Sequence, residues 1–437
     1  MTALYGRFDV VVVGSGSAGS TAAIAAARGG ANVLLVEKLP FLGGVSTAVL
    51  DTFYGFYTPG SQSTKVVGGI ADDVVAGLRG IGTVVERPNT YGAGTGVTYL
   101  AEHLKLVWED LVIGAGAKVL LHSFVQDATV ADGRITDLLM ATKAGLQRVE
   151  AGIVIDASGD ADVCHQAGFG YELAGESSPA QTLTTTFRMT NVDIARRRSI
   201  GKDELHRLMG MARESGDFDL PRVDGSDHIT PIGDMIATIM TRIEHVGTRD
   251  GQVINATDPD VLTAAEIAGR RQALEYSRFL VARVPGYENA SLVALGTQVG
   301  VRETRRVYGD YRVTRDDVLN ARQFDDQVGL CGAPIEDHHG GVGTGTTWEY
   351  LPDATAVGIP LASLIVKDSV NTLVAGRCFS ATHDAHASIR SMAQCMAMGQ
   401  AAGTLAAMAV AAGEVRKVDA AAVRLQLNAD GAILTIR

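Results

Sequence analysis

The stretch that decides the fold is Phe8–Glu37, FDVVVVGSGSAGSTAAIAAARGGANVLLVE. It predicts a strand, a Gly-x-Gly-x-x-Gly turn, an alanine-rich helix and a second strand that ends at an acidic residue. Gly14 makes the tight turn, Gly16 lets backbone N–H groups approach a pyrophosphate, and Gly19 lets the helix lie close to the sheet. The positive end of the helix faces the phosphates, and Glu37 accepts hydrogen bonds from a ribose hydroxyl. We therefore predict a dinucleotide site; a glycine-rich turn in another βαβ unit is the alternative.

The composition is that of a folded, acidic protein. The 437 residues are 46% hydrophobic and 20% charged, with a formal net charge of −11. This length exceeds one ordinary hydrophobic core, so we expect two intertwined domains. The negative charge disfavours nucleic acid and anionic membranes as partners.

Two further features bear on the compartment. The four cysteines form no Cys-x-x-Cys pair, which fits a reducing cytoplasm and indicates no disulfide framework. Residues 391–413 carry no charge and are long enough to span a membrane. Gln394, Gln400 and the small residues of this stretch favour instead a helix buried inside the protein. We expect a cytoplasmic location.

The domain boundaries follow from changes in pattern along the chain. Residues 124–151 alternate around an Asp132-Gly133 turn, which predicts a β-meander. Residues 1–171 are predicted to form the first part of a nucleotide-binding domain. The more charged segment 172–295 lacks glycine turns and is predicted to be an inserted substrate or cap domain. Nucleotide-fold signals resume in 296–437, which ends with a long helix.

Three separated segments resemble the FAD-dependent oxidoreductases of the glutathione-reductase-like group with two dinucleotide folds, which is related to the fumarate reductase and succinate dehydrogenase flavoproteins. The first is the N-terminal turn with Glu37 and residues 41–44, and the second is residues 154–160, VIDASGD. The third comprises residues 357–360, 371–377 and 399–403. The resemblance implies an α/β fold: a Rossmann-like FAD-binding domain with a parallel sheet and a β-meander, interrupted by an α+β cap.

The same resemblance implies where FAD is bound. Val125 is expected at the adenine, Asp160 near the ribitol or pyrophosphate, and Arg377 near the cofactor. An N-cap of the following helix is another role open to Asp160. The flavin is expected to be non-covalent, because residues 45–47 contain neither His nor Cys. The full predicted set is Gly14, Ser15, Gly16, Ser17, Ala18, Gly19, Glu37, Lys38, Gly43, Gly44, Val45, Ser46, Val125, Ala157, Ser158, Gly159, Asp160, Gly376, Arg377 and Ala402.

The sequence holds no second Gly-x-Gly-x-x-Gly turn and no pair of redox cysteines. Flavoproteins that draw electrons from NAD(P)H through their own domain usually have the second turn, and the disulfide reductases also have the cysteine pair. A substrate that reacts directly on the flavin is therefore favoured, with protein groups orienting it and handling the proton.

The predicted catalytic residues lie in two clusters. In residues 336–339, EDHH, a neutral His338 can take a proton and Asp337 can hold its imidazole in one tautomer. A polar loop with exposed histidines is the alternative. The second cluster is residues 383–386, HDAH, followed by Arg390. Arg390 suits a carboxylate substrate or the anionic end of the flavin, or else a buried structural pair. The predicted catalytic set is Asp337, His338, His339, His383 and Arg390.

Other candidate features have a structural and a functional interpretation. The histidines of the two clusters could bind a metal, but nothing requires one and none is predicted. Arg302 and Glu303 are expected to pair as a structural clamp, with substrate contact through Arg302 or Arg305 as the alternative. The aromatic run Tyr54, Phe56 and Tyr57 is expected in the core more than in the wall of a pocket.

The leading functional hypothesis is an FAD-dependent dehydrogenase or oxidase. It would oxidise a small organic substrate by hydride transfer from carbon to flavin, and dioxygen or an external acceptor would reoxidise the flavin. One alternative is a fumarate-reductase-like reduction of an activated C=C bond, with Arg302 and Arg390 holding carboxylates. Another is a non-redox FAD protein in RNA modification or in a structural role, which the acidic charge and the histidines disfavour. The sequence does not predict an oligomeric state.

Overall fold

A computed structural model describes residues 2–60, 63–87, 95–340 and 345–436. The first part of the chain contains nine strands and four helices among these residues. The strands are β1 (Ala3–Val13), β2 (Val33–Val36), β3 (Phe53–Gly55), β4 (Val85–Arg87), β5 (Gly96–Thr98), β6 (Lys118–Leu120), β7 (Phe124–Ala131), β8 (Arg134–Thr142) and β9 (Gly145–Asp156). The helices are α1 (Ser17–Arg28), α2 (Ile70–Ile81), α3 (Ala101–Gly114) and α4 (Asp162–Gln166).

The middle part and the last part follow. The middle strands are β10 (Tyr171–Leu173), β11 (Phe187–Thr190), β12 (Ser226–Ile229), β13 (Ile236–Ile239), β14 (Gly247–Arg249), β15 (Gln252–Ile254) and β16 (Ser291–Leu295), with helices α5 (Ile194–Arg197), α6 (Lys202–Glu214) and α7 (Pro259–Arg283). The last strands are β17 (Arg305–Val307), β18 (Gln327–Cys331), β19 (Ile335–His338), β20 (Thr346–Glu349), β21 (Val357–Pro360) and β22 (Thr372–Val374), with helices α8 (Arg315–Leu319), α9 (His383–Ile389), α10 (Met392–Ala409) and α11 (Ala420–Ala429).

The main sheet has the order β6-β2-β1-β9-β8-β7, and β22 pairs with the end of β9 that β8 leaves free. Strands β6, β2, β1, β9 and β22 run parallel, whereas β7, β8 and β9 form an antiparallel meander. The predicted Rossmann-like sheet with its β-meander is confirmed. Asp132 and Gly133 both have positive φ, 49° and 72°, as the two-residue hairpin turn requires.

Close contact between α1 and α10 brings the two ends of the chain together. A Cβ on Gly399 would lie 2.1 Å from the carbonyl oxygen of Ala18, and one on Gly403 would lie 2.2 Å from that of Ala22. Both glycines belong to α10, the uncharged helix, which is largely buried as expected. Among the described residues, no helix is long and apolar enough to cross a bilayer.

The inserted segment has its own sheet and its own core. Strands β12, β13, β11 and β16 form an antiparallel sheet in that order, against which α6 and α7 pack around Phe187, Met209 and Tyr276. Strand β10 pairs with β17, so the chain leaves and re-enters the nucleotide half on neighbouring strands. Residues of this inserted segment, called the cap below, line the same cavity as the carboxyl ends of the parallel strands.

The aromatic run after the first glycine turns lies in the core. Tyr54 and Phe56 are 0% and 4% exposed and belong to the main hydrophobic cluster, against which Tyr57 packs half-buried. The core interpretation of this run is confirmed. Phe53, one position earlier, faces the large cavity described next.

Candidate active site

A cavity of about 460 Å³ opens at the carboxyl ends of β1, β2, β9 and β22 and continues beneath the cap. Ligand sites of α/β sheets are expected at this edge. Sixteen of the twenty predicted cofactor residues line the cavity: Gly14, Ser15, Gly16, Ser17, Ala18, Glu37, Lys38, Gly44, Val45, Val125, Ala157, Ser158, Gly159, Asp160, Gly376 and Arg377. The structure therefore brings together residues that are far apart in the chain.

The other four predicted residues, Gly19, Gly43, Ser46 and Ala402, do not line the cavity but pack next to residues that do. A Cβ on Gly19 would lie 1.7 Å from the carbonyl oxygen of Gly14, so close packing requires glycine there. Gly43 has φ 112°, and its carbonyl oxygen accepts a hydrogen bond from the hydroxyl of Ser46 at 2.6 Å. Ala402 is fully buried in α10.

The start of α1 at the glycine turn presents backbone N–H groups to the cavity that have no acceptor within the helix. Gly14 has φ 92°, and a Cβ there would lie 2.4 Å from the carbonyl oxygen of Ala157. A Cβ on Gly16 would meet nothing within 4 Å, so this position opens into the cavity. Helix α1 starts there with no side-chain cap and no acidic residue in its first turn. These N–H groups and the helix dipole suit a pyrophosphate.

A second uncapped helix start lies on the same cavity. Ser391, the N-cap of α10, makes no side-chain cap hydrogen bond, and the first turn of α10 contains no acidic residue. Ser391 and Met392 both line the cavity. Two helix N-termini therefore direct their positive ends toward one space, an arrangement suited to an anionic dinucleotide.

Glu37 closes the turn at the end of β2. Its Oε2 accepts hydrogen bonds from the backbone N–H of Ser15 at 2.8 Å and from the Ser15 hydroxyl at 2.6 Å. Its Oε1 accepts from the N–H of Leu39 at 2.8 Å. The carboxylate holds β1 and β2 in register at the cavity, and its contact with a ribose stays a prediction.

Asp160 and Arg377 form a pair in the cavity wall. The Nη2 of Arg377 lies 2.8 Å from Oδ1 of Asp160, which also accepts a hydrogen bond from the hydroxyl of Thr304 at 2.7 Å. Burial raises the pKa of Asp160, but Arg377 and Lys38 lower it by more, so the carboxyl is ionised. Asp160 does not cap α4, because the N-cap position is Ala161.

His338 lies on the other side of the cavity, beneath the cap. It is the last residue of β19, and its Nε2 lies 3.0 Å from Oε1 of Glu336. Its Nδ1 lies 3.2 Å from the hydroxyl of Thr346, which is opposite it on β20. Burial lowers the pKa of His338 well below its usual value, and Arg302, Arg222 and Arg390 lower it further. The imidazole is therefore neutral at neutral pH and able to accept a proton.

The predicted pairing of Asp337 with His338 is wrong. Side chains alternate along a strand, so Glu336 and His338 face the cavity while Asp337 and His339 point to the other side. The Oδ2 of Asp337 lies 3.2 Å from Nε2 of His383 and 3.3 Å from Nδ1 of His339. Thr346 and Glu336 occupy the positions beside His338 instead.

His383 lies in a buried ion cluster behind the cavity. Its Nδ1 is 2.9 Å from Oε2 of Glu303, and its Nε2 faces Asp337. Burial lowers the pKa of His383, but Asp337 and Glu303 raise it by more, to about 9. His383 is therefore an imidazolium, and neither it nor Asp337 nor His339 lines the cavity. Within the described ranges, no group of three or more His, Cys, Asp or Glu residues could hold a metal.

Arg302 and Glu303 do not form the expected clamp. Glu303 is fully buried and pairs with Arg306 and His383, whereas Arg302 lines the cavity. The Nη1 of Arg302 donates hydrogen bonds to the carbonyl oxygen of Thr182 and the hydroxyl of Thr184, both at 2.7 Å. Arg302 therefore faces the cavity, whereas the adjacent Glu303 faces the buried ion cluster behind it.

Arg390, the last predicted catalytic residue, lines the cavity between α9 and α10. Its Nη2 donates to Oε1 of Gln181 at 2.7 Å, and its Nε is buried without a partner. The sequence analysis missed Arg222, Asp224 and Thr346, which also line the cavity. They belong to no motif, and nothing in the sequence indicates that they meet His338.

A dinucleotide fold with two uncapped helix starts and a neutral histidine on one cavity defines a flavin-binding class of oxidoreductase. The sequence matches the family of FAD-dependent oxidoreductases over residues 9–427, and the chain belongs to that family. Its cofactor is FAD.

Similarity to individual proteins is more limited. Over 202 residues the chain is 31% identical to digeranylgeranylglycerophospholipid reductase 2 of Methanothermobacter thermautotrophicus, covering 41% of this chain and 50% of that protein. Over 65 residues it is 40% identical to the fumarate reductase (cytochrome) of Shewanella frigidimarina, covering 15% and 11%. A geranylgeranyl bacteriochlorophyll reductase-like structure from Thermoplasma acidophilum has a TM-score of 0.46 and 14% identity, over 97% of this chain and 82% of that one. The chain thus spans at most half the length of these two curated relatives.

Proposed function

We propose that this protein oxidises a small organic substrate at a carbon that bears a hydroxyl or amino group, and that His338 takes the accompanying proton. The observation that supports this most is a neutral imidazole in the cavity, surrounded by arginines. When bound, FAD accepts the hydride from the substrate carbon. The O–H or N–H proton passes to His338, and the product is a carbonyl or an imine. Dioxygen or an external acceptor then takes the two electrons.

Thr346 and Asp224 define which nitrogen of His338 accepts the proton. Oδ2 of Asp224 lies 3.2 Å from both the backbone nitrogen and the hydroxyl oxygen of Thr346. Burial raises the pKa of Asp224, but Arg222 and Arg242 lower it by more, to about 2, so this carboxylate only accepts hydrogen bonds. The single hydroxyl proton of Thr346 points to Asp224, and the hydroxyl oxygen then accepts from Nδ1–H of His338.

This arrangement leaves Nε2 of His338 as the proton acceptor. Nε2 faces the cavity side of β19, where Oε1 of Glu336 lies 3.0 Å away. Once Nε2 carries the proton, Glu336 accepts a charge-assisted hydrogen bond from it. His338 is therefore the base, Glu336 stabilises its protonated form, and Thr346 fixes the tautomer.

Reduction of an activated C=C bond is a second candidate. It is favoured by the identity shared with the archaeal protein named as a reductase, and by the cavity arginines, which suit an unsaturated acid. The neutral state of His338 favours oxidation, because its unprotonated nitrogen has no proton to donate and a reduction needs a proton donor at this position. Anaerobic reoxidation of the photoreduced flavin by fumarate, with no bleaching by alcohols, amines or hydroxy acids, would support the second candidate.

Anaerobic bleaching of the flavin tests the oxidation. The FAD-loaded protein is mixed with a panel of small alcohols, amines, hydroxy acids and amino acids, and the loss of oxidised-flavin absorbance is followed by stopped flow. With the compound that bleaches fastest, His338→Gln is expected to react about a hundredfold more slowly while keeping its FAD. His165→Gln, an exposed histidine on α4, serves as the control. An unchanged rate in His338→Gln would remove this residue from the reaction.

A further inference from the structure

Three arginines from separate parts of the chain present unused hydrogen-bond donors to the region around His338. Arg222 belongs to the cap, Arg302 to the segment before β17, and Arg390 to the junction of α9 and α10; all three line the cavity. Among the residues that the structure describes, Arg302 donates side-chain hydrogen bonds only through Nη1 and Arg390 only through Nη2, and Arg222 only through Nε, toward Asp224 at 2.6 Å. In the described part of the chain, no carboxylate forms an ion pair with Arg302 or Arg390.

Burying a charged guanidinium group without a counterion costs free energy. Burial lowers the pKa of Arg302 to about 9, and repulsion from Arg390 and Arg222 contributes to the same shift. The same three charges lower the pKa of His338. The neighbouring carboxylates are already engaged: Asp224 holds Arg222 and Thr346, and Glu336 faces His338. A buried charge without a counterion is stabilised strongly by any anion that reaches it.

The anion site is separate from the glycine turn that suits the pyrophosphate. The turn lies at the start of α1, whereas the three arginines line the cavity where their charges act on His338. Arg222 connects to His338 through Asp224 and Thr346, a chain of contacts that includes no predicted FAD residue. The missing anion is therefore expected on the substrate beside the base.

We propose that Arg222, Arg302 and Arg390 bind a carboxylate of the substrate, which makes the substrate a small hydroxy acid or amino acid. The hydroxyl or amino group of this substrate is inferred from the proposed oxidation. The carboxylate is inferred from the arrangement of the arginines alone. The carboxylate is unchanged in the reaction. The carbon that bears the hydroxyl or amino group would give its hydride to bound FAD, and the hydroxyl or amino group would give its proton to His338, leaving an oxo acid or an imino acid. Planar guanidinium groups match a carboxylate with paired hydrogen bonds.

Binding to the oxidised, FAD-loaded protein tests the inference without turnover. Isothermal titration calorimetry compares sodium oxalate with its neutral isostere oxamide, and sodium acetate with acetamide. The carboxylates are expected to bind at least about tenfold more tightly than the amides, because an amide leaves the guanidinium charges without a counterion. Equal affinity of acid and amide would overturn the carboxylate site.

Substitution of the arginines locates the site. Arg302→Met is expected to weaken oxalate binding about tenfold to a hundredfold, and Arg302→Lys to restore part of it. Arg278→Met, an exposed position on α7 paired with Glu275, removes the same charge away from the cavity and is expected to leave binding unchanged. If Arg302→Met fails to retain FAD, Arg222→Met is measured instead. Unchanged oxalate affinity in a variant that retains FAD would contradict the inference.

The outcomes separate this inference from the proposed function. If oxalate binding depends on Arg302 but no acid bleaches the flavin, the carboxylate site is supported and the proposed oxidation is rejected. Bleaching by a neutral alcohol at a rate that Arg302→Met does not change would keep the oxidation and reject the acid as substrate.

Discussion

The hydroxyl of Thr346 lies 3.2 Å from Nδ1 of His338, directly opposite it on the neighbouring antiparallel strand. Through the same oxygen, Thr346 contacts Asp224 of the cap, also at 3.2 Å. One hydroxyl therefore joins the proposed base, on the flavin-binding half, to a carboxylate that the cap holds in its ionised form. The tautomer of the His338 imidazole therefore depends on residues from both the flavin-binding half and the cap.

Removing this hydroxyl is expected to slow the reaction without loss of FAD. Thr346→Val keeps the shape of the side chain but leaves the tautomer of His338 unfixed, so kcat for flavin reduction falls about fivefold, as expected for one hydrogen bond of about 1 kcal/mol. Thr346→Ser is expected to restore the rate and the pH profile. The matched control is Thr347→Val, because Thr347 contacts His339 on the other side of the strand. Equal rates in Thr346→Val and Thr347→Val would contradict the role of Thr346.

Gly16→Leu is expected to give a folded protein without FAD. A Cβ at Gly16 would meet no protein atom within 4 Å, and the φ of −60° is open to any residue, so the protein is expected to fold. The added atoms instead occupy the space next to the free N–H groups of α1. Flavin absorbance of the purified protein and thermal unfolding measure the two effects. Gly114→Leu, on α3 and equally free of contacts, is the control. Retention of normal FAD by Gly16→Leu would place the pyrophosphate elsewhere.

His383 is expected to make the stability depend on pH in the alkaline range. Its pKa in the folded protein is raised to about 9 from 6.5, so its contribution is fully present below about pH 6.5 and is lost as the pH rises through about 9. A shift of this size corresponds to at most about 3 kcal/mol of unfolding free energy. Urea unfolding of the wild type and of His383→Gln across this range measures the difference, with His165→Gln as control. Parallel curves for wild type and His383→Gln would refute the shifted pKa.

Carboxylate binding is expected to strengthen as the pH falls toward the pKa of His338. Burial and the nearby arginines hold this pKa well below 6.5, and a bound carboxylate offsets the arginine charges, so the pKa rises on binding and a proton is taken up. Calorimetry of oxalate binding in buffers of different ionisation enthalpy measures that proton. His338→Gln is expected to abolish the uptake while leaving oxalate bound. If the wild type takes up no proton below about pH 7 when oxalate binds, the bound anion does not act on His338.

The nucleotide half was predictable because its signals are local. The strand, turn and helix of Phe8–Glu37 contact each other within one short stretch, and each glycine has one steric role that sequence spacing reveals. The meander around Asp132 and Gly133 was equally readable, since a two-residue turn with positive φ selects these residues.

The substrate side was less predictable because its contacts span the chain. Asp224 and Thr346 are 122 positions apart, and no spacing rule connects them. The predicted pairing of Asp337 with His338 was wrong because residues 335–338 form a strand, in which neighbouring side chains face opposite sides. Once the strand is known, the choice of His338 over His339 follows from alternation.

In the reaction that we propose, His338 takes the proton while bound FAD accepts hydride from a small hydroxy or amino acid. The most direct measurement is the anaerobic rate of flavin bleaching by the fastest acid of the panel, compared between wild type and His338→Gln at equal FAD content. The wild type is expected to bleach rapidly, and His338→Gln is expected to bleach about a hundredfold more slowly. Equal rates in the two proteins, or no bleaching of the wild type by any hydroxy or amino acid, would contradict it.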